Sequence, residues 1–225
     1  MAALAWFVLH AAIAGTAVRA WLVSTVTEKT YRAGFSVASV AGLWWLILEY
    51  RQAPYVPVWV APASLYAVPL ALVPLAFVLL VGAFLVPNPT AVGGEKALTA
   101  AEPARGVLRL TRHPFLWSVV LWSFAHLLVN PDAGSLLFFS TLGLTALRGT
   151  FDIDRKRRRS SAVDYARYEA VTSNVPLVAV LSGRNRLVVR ELGLPVLLGL
   201  AVSLGVIALH ARFFGAAPLP QLSGR

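Results

Sequence analysis

Four histidines supply most of the ligand chemistry open to the apolar stretches of this chain. His10 falls near the middle of the first apolar run. The stretch "TRHPFLWSVVLWSFAH" carries His113 at its start and His126 at its end, and His210 lies near the end of the last run beside Arg212. An ionisable group at membrane depth needs a partner, so each is a functional candidate before anything else. Plainer readings stand beside that one. His113 can simply start a helix, with Pro114 at the first helical position, where a missing N–H costs nothing. Any of the four can bond a backbone carbonyl or interfacial water, and His210 fits that role best.

The available chemistry narrows by elimination. No cysteine occurs, which removes disulfides, thiolate haem ligands and iron–sulfur clusters. There is no H-E-x-x-H and no histidine pair at i, i+4, so a zinc site has little support. Acidic residues are nearly absent from the apolar runs, with Glu49 at the end of one, which disfavours a carboxylate di-metal centre or a proton-coupled transporter. Neither G-x-S-x-G nor a phosphate-binding G-x-x-x-x-G-K-[ST] occurs. Neutral histidines on different apolar helices do suit haem iron, which takes axial imidazoles, sits among aliphatic and aromatic side chains, and leaves two propionates needing cations. Arg19, Arg105, Arg109 and Arg112 would supply those cations. The same arginines also satisfy the positive-inside rule with no ligand at all.

The elements that must position these groups are membrane helices. Hydrophobic residues make up 58% of the 225 and charged residues 13%, against about 25% in a soluble domain. The apolar residues gather into runs of about twenty, the length a helix needs to cross the hydrocarbon. This is the composition of an all-α integral membrane protein, a six-span transmembrane helical bundle with short interfacial helices and no separate soluble domain. The spans fall at about 2–23, 34–50, 63–86, 114–129, 134–151 and 194–214. The first reads as a span and not as a cleavable leader, because no basic region precedes it. Pro69 and Pro74 should kink the third. Residues 105–112, "RGVLRLTR", place Arg105, Arg109 and Arg112 at i, i+4, i+7, which predicts an interfacial helix running into the fourth span. "NPDAG" joins the fourth and fifth spans as a tight turn. Beyond the fifth lie about forty polar and basic residues, in which Val175–Leu181 is too short to cross and dips into the interface.

A net charge of +10 could point to nucleic acid, but in a membrane protein basic residues gather in cytoplasmic loops near anionic lipid. With residues 152–193 cytoplasmic, 17 of the 20 Lys and Arg lie on that side, and both termini fall on the other. The run Arg155–Arg159 then reads as a topology anchor, and Tyr165 with Tyr168 as an interfacial aromatic pair. "TSNVP" and "GRNR" have turn chemistry, and could also clamp an anionic headgroup or a propionate.

"RGVLRLTRHPFLWSVVLWSFAHLLVNPDAGSLLFF" resembles the signature of the NnrU membrane family, often encoded beside bacterial denitrification genes. The early stretch from "LHAAIAGTAVRAW" to "LILEYRQAP" and the late "TSNVP…GRNR" fit the same pattern, so the resemblance covers most of the chain. The plant 15-cis-zeta-carotene isomerases are similar over this core. The resemblance implies haem b in a bacterial inner membrane, held by an early-helix histidine and the Arg-His-Pro histidine. Here those positions are His10 and His113. It also implies cis–trans isomerisation of a carotenoid such as 9,15,9′-tri-cis-zeta-carotene. Any thiolate ligand exchange is ruled out for a chain with no cysteine. A non-catalytic haem protein of nitric oxide metabolism is the rival expectation. The Arg-His-Pro corner also resembles the isoprenylcysteine carboxyl methyltransferases, but "DIDRKRRRSSAVDYARY" is basic where that family has paired glutamates.

Geometry limits the ligand pair further. Thirteen residues put His113 and His126 about 20 Å apart on one helix, so they cannot face each other across a haem. One of them must pair with His10, and depth alone does not choose. Arg109 and Arg112 beside His113 tip the choice towards it, leaving His126 to pack against a backbone carbonyl, line a substrate groove or act as a spare ligand.

Overall fold

The computed structural model describes residues 1–13 and 16–217. Among these residues there is no strand, only an isolated bridge between Pro57 and Asp132. Helix α1 (Ala2–Val8) widens into a π-helical turn over Leu9–Ile13, followed by α2 (Ala17–Val26) and α3 (Glu28–Gln52). A 3-10 turn at Ala63–Tyr66 leads into α4 (Ala67–Leu85). After further 3-10 turns come α5 (Pro114–Val129), α6 (Ala133–Ser160), α7 (Ala162–Val171), α8 (Val178–Leu181) and α9 (Val189–Phe214).

Among the described residues, four elements are long and apolar enough to cross a membrane: Glu28–Gln52, Ala63–Leu85, Ala133–Ser160 and Val189–Phe214. They coincide with the second, third, fifth and sixth expected spans, and three of them run well beyond the apolar run that announced them. The fourth, Pro114–Val129, has the expected bounds but only 16 residues, about 24 Å of helix. The first departs from expectation. Ala2–Ile13 and Ala17–Val26 lie at 78° to each other. Thr16 is the reason on the C-terminal side, since its side chain accepts the Val18 N–H at 3.2 Å and so starts a new helix. Four spans are therefore long enough, five if the bent pair counts as one.

Local chemistry sets the other ends. Pro114 occupies the first turn of α5, as its missing donor allows. Asp132 caps α6 by accepting the Ser135 N–H at 2.9 Å, and the 130–132 turn makes α5 and α6 antiparallel neighbours. The Pro-rich 53–60 segment pairs with that turn through Val58 N–H to Pro131 O and Ala133 N–H to Val56 O.

Two blocks result. In one, α4 packs on α5 and α9, and α5 on α6. Gly199 of α9 meets α4 so closely that an added Cβ would stand 2.5 Å from the Val78 Cα, and a Cβ on Gly82 would collide with the Val107 side chain. In the other, the start of α1 docks on α3 and α6 through Ala2, Ala3, Leu46, Phe138 and Phe139.

The expected interfacial helix at 105–112 does not form. Its residues make a single 3-10 turn, Gly106–Arg109, and Val107 and Leu108 are fully buried. Three arginines on one face would have required that face to meet water, whereas Arg109 is instead drawn inward by Glu191 and Glu102.

Candidate functional site

His10 sits in the π-helical turn after α1, a local widening that recurs at functional sites. Its ring stacks on Trp6 with centroids 4.1 Å apart, and Nδ1–H donates to the Trp6 carbonyl at 2.9 Å. His126, in the last turn of α5, repeats the arrangement. Trp122 lies 4.6 Å from its ring, and Nδ1–H donates to the Trp122 carbonyl at 2.8 Å. A carbonyl can only accept, so both bonds fix the tautomer with Nε2 unprotonated in the neutral ring. His10 Nε2 has one long contact, 3.5 Å to Ser39 Oγ, and His126 Nε2 has no hydrogen-bond partner among the described residues.

Both histidines line one cavity of about 1730 Å³. Trp6, Phe35, Trp122 and Phe139 form aromatic wall around them, with the Phe139 ring 4.9 Å from His126. Arg19, Arg148 and Lys156 line the same cavity. Arg19 is held by Glu28 at 2.6 Å and lies over the Tyr31 ring. His210 also borders the cavity, and its Nδ1–H donates to the Ala216 carbonyl at 2.7 Å, the plain role expected of it.

His113 is elsewhere. It is buried where the 110–113 corner meets the 172–177 segment, and it does not border the cavity. Its Nε2 lies 2.6 Å from Asp154 Oδ1, and Nδ1 is buried with no partner. Burial pushes its pKa below the usual 6.5, against the pull of Asp154, so the neutral ring donates Nε2–H to the carboxylate. Asp154 is the hub. Arg112 grips it with one edge of its guanidinium, Nε at 3.0 Å from Oδ1 and Nη2 at 2.8 Å from Oδ2. Tyr165 donates its hydroxyl at 2.5 Å and Asn174 its amide at 3.3 Å. Burial, and then the bond to Asp154, push the Tyr165 hydroxyl well above its ordinary range. The strap is completed by Arg112 N–H to Ser173 O, Leu177 N–H to Leu110 O and Thr111 Oγ to Asn174 O.

The expected site residues thus divide. His10, His126 and Arg19 border the cavity. His113, Arg112 and Arg109 do not; His113 Nε2 and Arg112 are committed to Asp154, and Arg109 to Glu191 and Glu102. Arg105 is exposed and borders a separate small pocket. Tyr165 and Tyr168 are fully buried and not interfacial, and Arg157 leaves the basic run to pair with Glu95. The roles of Asp154, Arg148 and Lys156 were missed. Asp154 had one signal, an acid at the head of a basic run, while the Arg112-His113 pair elsewhere in the chain needed a counter-charge. His126 had another, for Trp-x-x-x-His occurs twice, at Trp6–His10 and Trp122–His126. Among the described residues no three His or carboxylate side chains converge as a metal cage. What the cavity offers is three imidazoles, each with Nδ1–H tied to a backbone carbonyl, aromatic surface, and basic side chains of which Arg19 and Arg148 are paired with Glu28 and Asp152.

A family model described as NnrU protein matches residues 1–218. The "15-cis-zeta-carotene isomerase, chloroplastic" of Arabidopsis thaliana is 32% identical over 120 residues, which cover 50% of this chain and 32% of that protein. The match therefore spans about a third of the relative's length. No solved structure gives a significant match.

Proposed function

Because the chain belongs to the NnrU family, we propose that it is a membrane haem b protein that isomerises a cis double bond of a polyene. The observation that carries this reading is the shared geometry of His10 and His126. Each gives its Nδ1–H to the carbonyl four residues back and keeps Nε2 unprotonated at one cavity wall. That second bond is what orients a metal-ligating imidazole and raises its basicity. The residues fit the group: two imidazoles on different helices for the iron, Trp6, Phe35, Trp122 and Phe139 for the macrocycle, and Arg19, Arg148 and Lys156 for the propionates. His126 thereby replaces His113 as the second ligand.

Haem, when bound, supplies an iron centre able to weaken one double bond of a conjugated chain. The protein's own contribution is space, orientation and dryness. Ligand pockets commonly measure about 300–1,000 Å³; at about 1730 Å³ this one leaves room for an extended hydrocarbon beside a macrocycle. The relative's name supplies the substrate class, a 15-cis carotene. Isomerisation needs no net oxidant and no proton donor, which agrees with a cavity rich in aromatic and aliphatic surface.

The membrane is the bacterial inner membrane. Residues 152–193 face the cytoplasm and both termini the periplasm, which requires an even number of crossings. A periplasm-dependent reporter fused after Arg225 should then be active, and one near Ser160 inactive.

The test of the chemistry is direct. Protein extracted from haem-replete cells should show a Soret band, with haem removable by acid acetone because no cysteine can hold it covalently. Reduced protein in detergent should isomerise 15-cis-zeta-carotene, and oxidised protein should not. Colourless protein would end the haem reading. Haem-loaded protein that leaves the carotene unchanged would favour a role in nitric oxide metabolism.

A further inference from the structure

A second cavity lies away from the histidines, at the start of α9. It measures about 320 Å³ and is bordered by Arg105, Arg109, Arg186, Arg190, Glu102 and Glu191. Four arginines against two glutamates leave a surplus of two positive charges. The pairing inside it is uneven. Arg109 takes both glutamates, with Nε 2.8 Å from Glu191 and Nη2 2.5 Å from Glu102. Glu191 also accepts the Gly106 N–H at 2.6 Å. The acids are thus committed to the inner wall. The guanidinium groups of Arg105, Arg186 and Arg190 have no acceptor among the described residues.

Arg105 comes from the segment before the Gly106–Arg109 turn, and Arg186 and Arg190 from the entry to α9 and its first turn. Arg184 donates to the Glu169 and Thr172 carbonyls at 3.1 and 2.8 Å, and Asn185 to the Val171 carbonyl at 2.7 Å. Arg186, the next residue, gives its backbone N–H to Asn185 Oδ1 at 2.8 Å, and its exposed side chain borders the cavity. Arg105 precedes the buried 3-10 turn that Glu191 holds. Three unpaired guanidinium forks around a small polar cavity are an acceptor site for a phosphate group. The surroundings say what else the ligand carries. Val189, Leu194 and Leu197 are exposed along the first turns of α9, and Leu187 flanks the opening. A phosphoester here would lie at the head of an uncovered apolar helix face.

We infer that Arg105, Arg186 and Arg190 form a binding site for the phosphate of an anionic phospholipid whose acyl chains lie along α9. Non-bonded arginines near a membrane surface strengthen anionic lipid binding about fivefold each, so removing three should weaken it on the order of a hundredfold.

The experiment uses the full-length protein in nanodiscs of phosphatidylcholine, with or without phosphatidylglycerol, and in neutral discs with inorganic phosphate. Thermal unfolding is followed by tryptophan fluorescence and retained lipid by native mass spectrometry. Phosphatidylglycerol should raise the midpoint and co-purify with the wild type. A variant carrying Arg105→Ala, Arg186→Ala and Arg190→Ala should lose both effects, whereas Arg155→Ala with Arg159→Ala should keep them. Protection by inorganic phosphate that equals the lipid effect and disappears in the triple variant would keep the anion site and give it a soluble phosphate. Lipid retention by the triple variant, or equal loss in the Arg155/Arg159 pair, would overturn the proposal.

Discussion

His113 and His126 open and close the same helix, and they have opposite fates. At the first end of α5 the imidazole is locked between Asp154 and a closed wall, and its remaining nitrogen faces no partner. At the other end it leans on a tryptophan and an aromatic cluster, with one nitrogen tied to the backbone and the other bare at a cavity. Ring chemistry is identical in the two places. What Nε2 meets sets what the ring can do: a carboxylate makes it a staple, and a cavity leaves the nitrogen open for the ligand role proposed for it.

The largest expected effect tests that division at once. His10→Ala or His126→Ala should lower the haem-to-protein ratio more than tenfold, read from the Soret band of purified protein. His113→Ala should keep at least half of the haem. Retained haem in His126→Ala together with colourless His113→Ala would reverse the comparison and restore the assignment that charge counting favoured.

At the hub the effect should appear in stability. Asp154→Ala strands a buried arginine, and breaking a buried pair in this way costs about 3–5 kcal/mol. In detergent its unfolding midpoint should fall further than that of any single substitution at the cavity. Tyr165→Phe removes one hydrogen bond to the same carboxylate, for about 1.5–3 kcal/mol. A loss in Tyr165→Phe as large as that in Asp154→Ala would mean that the hydroxyl, and not the ion pair, holds the strap.

The smallest effect is in pH. Burial lowers the His113 pKa below 6.5, so the unfolded chain takes up a proton at that position before the folded one does. The stability due to a neutral His113 is complete above about pH 6.5 and is lost as pH falls through the lower, folded value. The midpoint should decline on acidification in the wild type, and less steeply in His113→Gln.

Much of the frame was legible because hydropathy is local. The bounds of Pro114–Val129 and the turn at Asp132 follow from Pro, Asn and Asp beside apolar runs. The bend near Thr16 was hidden, because an apolar window averages over a single capping residue. The site was less legible for a different reason. Arg109 and Arg112 looked available for propionates only while their partners were unknown, and those partners, Glu191 and Asp154, lie 82 and 42 residues away. The identity of the partner in a buried ion pair has no local signature. The repeated Trp-x-x-x-His did have one, and it pointed to the histidine that borders the cavity.

The two glycines of the tight block carry a consequence for tolerance to change. At Gly199 the obstacle is the backbone of α4, which cannot swing aside, and at Gly82 it is a β-branched side chain with little rotamer freedom. In a library covering every position these two sites should reject alanine as firmly as tryptophan. Gly34, Gly193 and Gly205 lie on helices with nothing within 4 Å of an added Cβ, and should accept alanine freely. The drift permitted to this sequence is thus narrowest where α4 meets α9 and the Gly106–Arg109 turn.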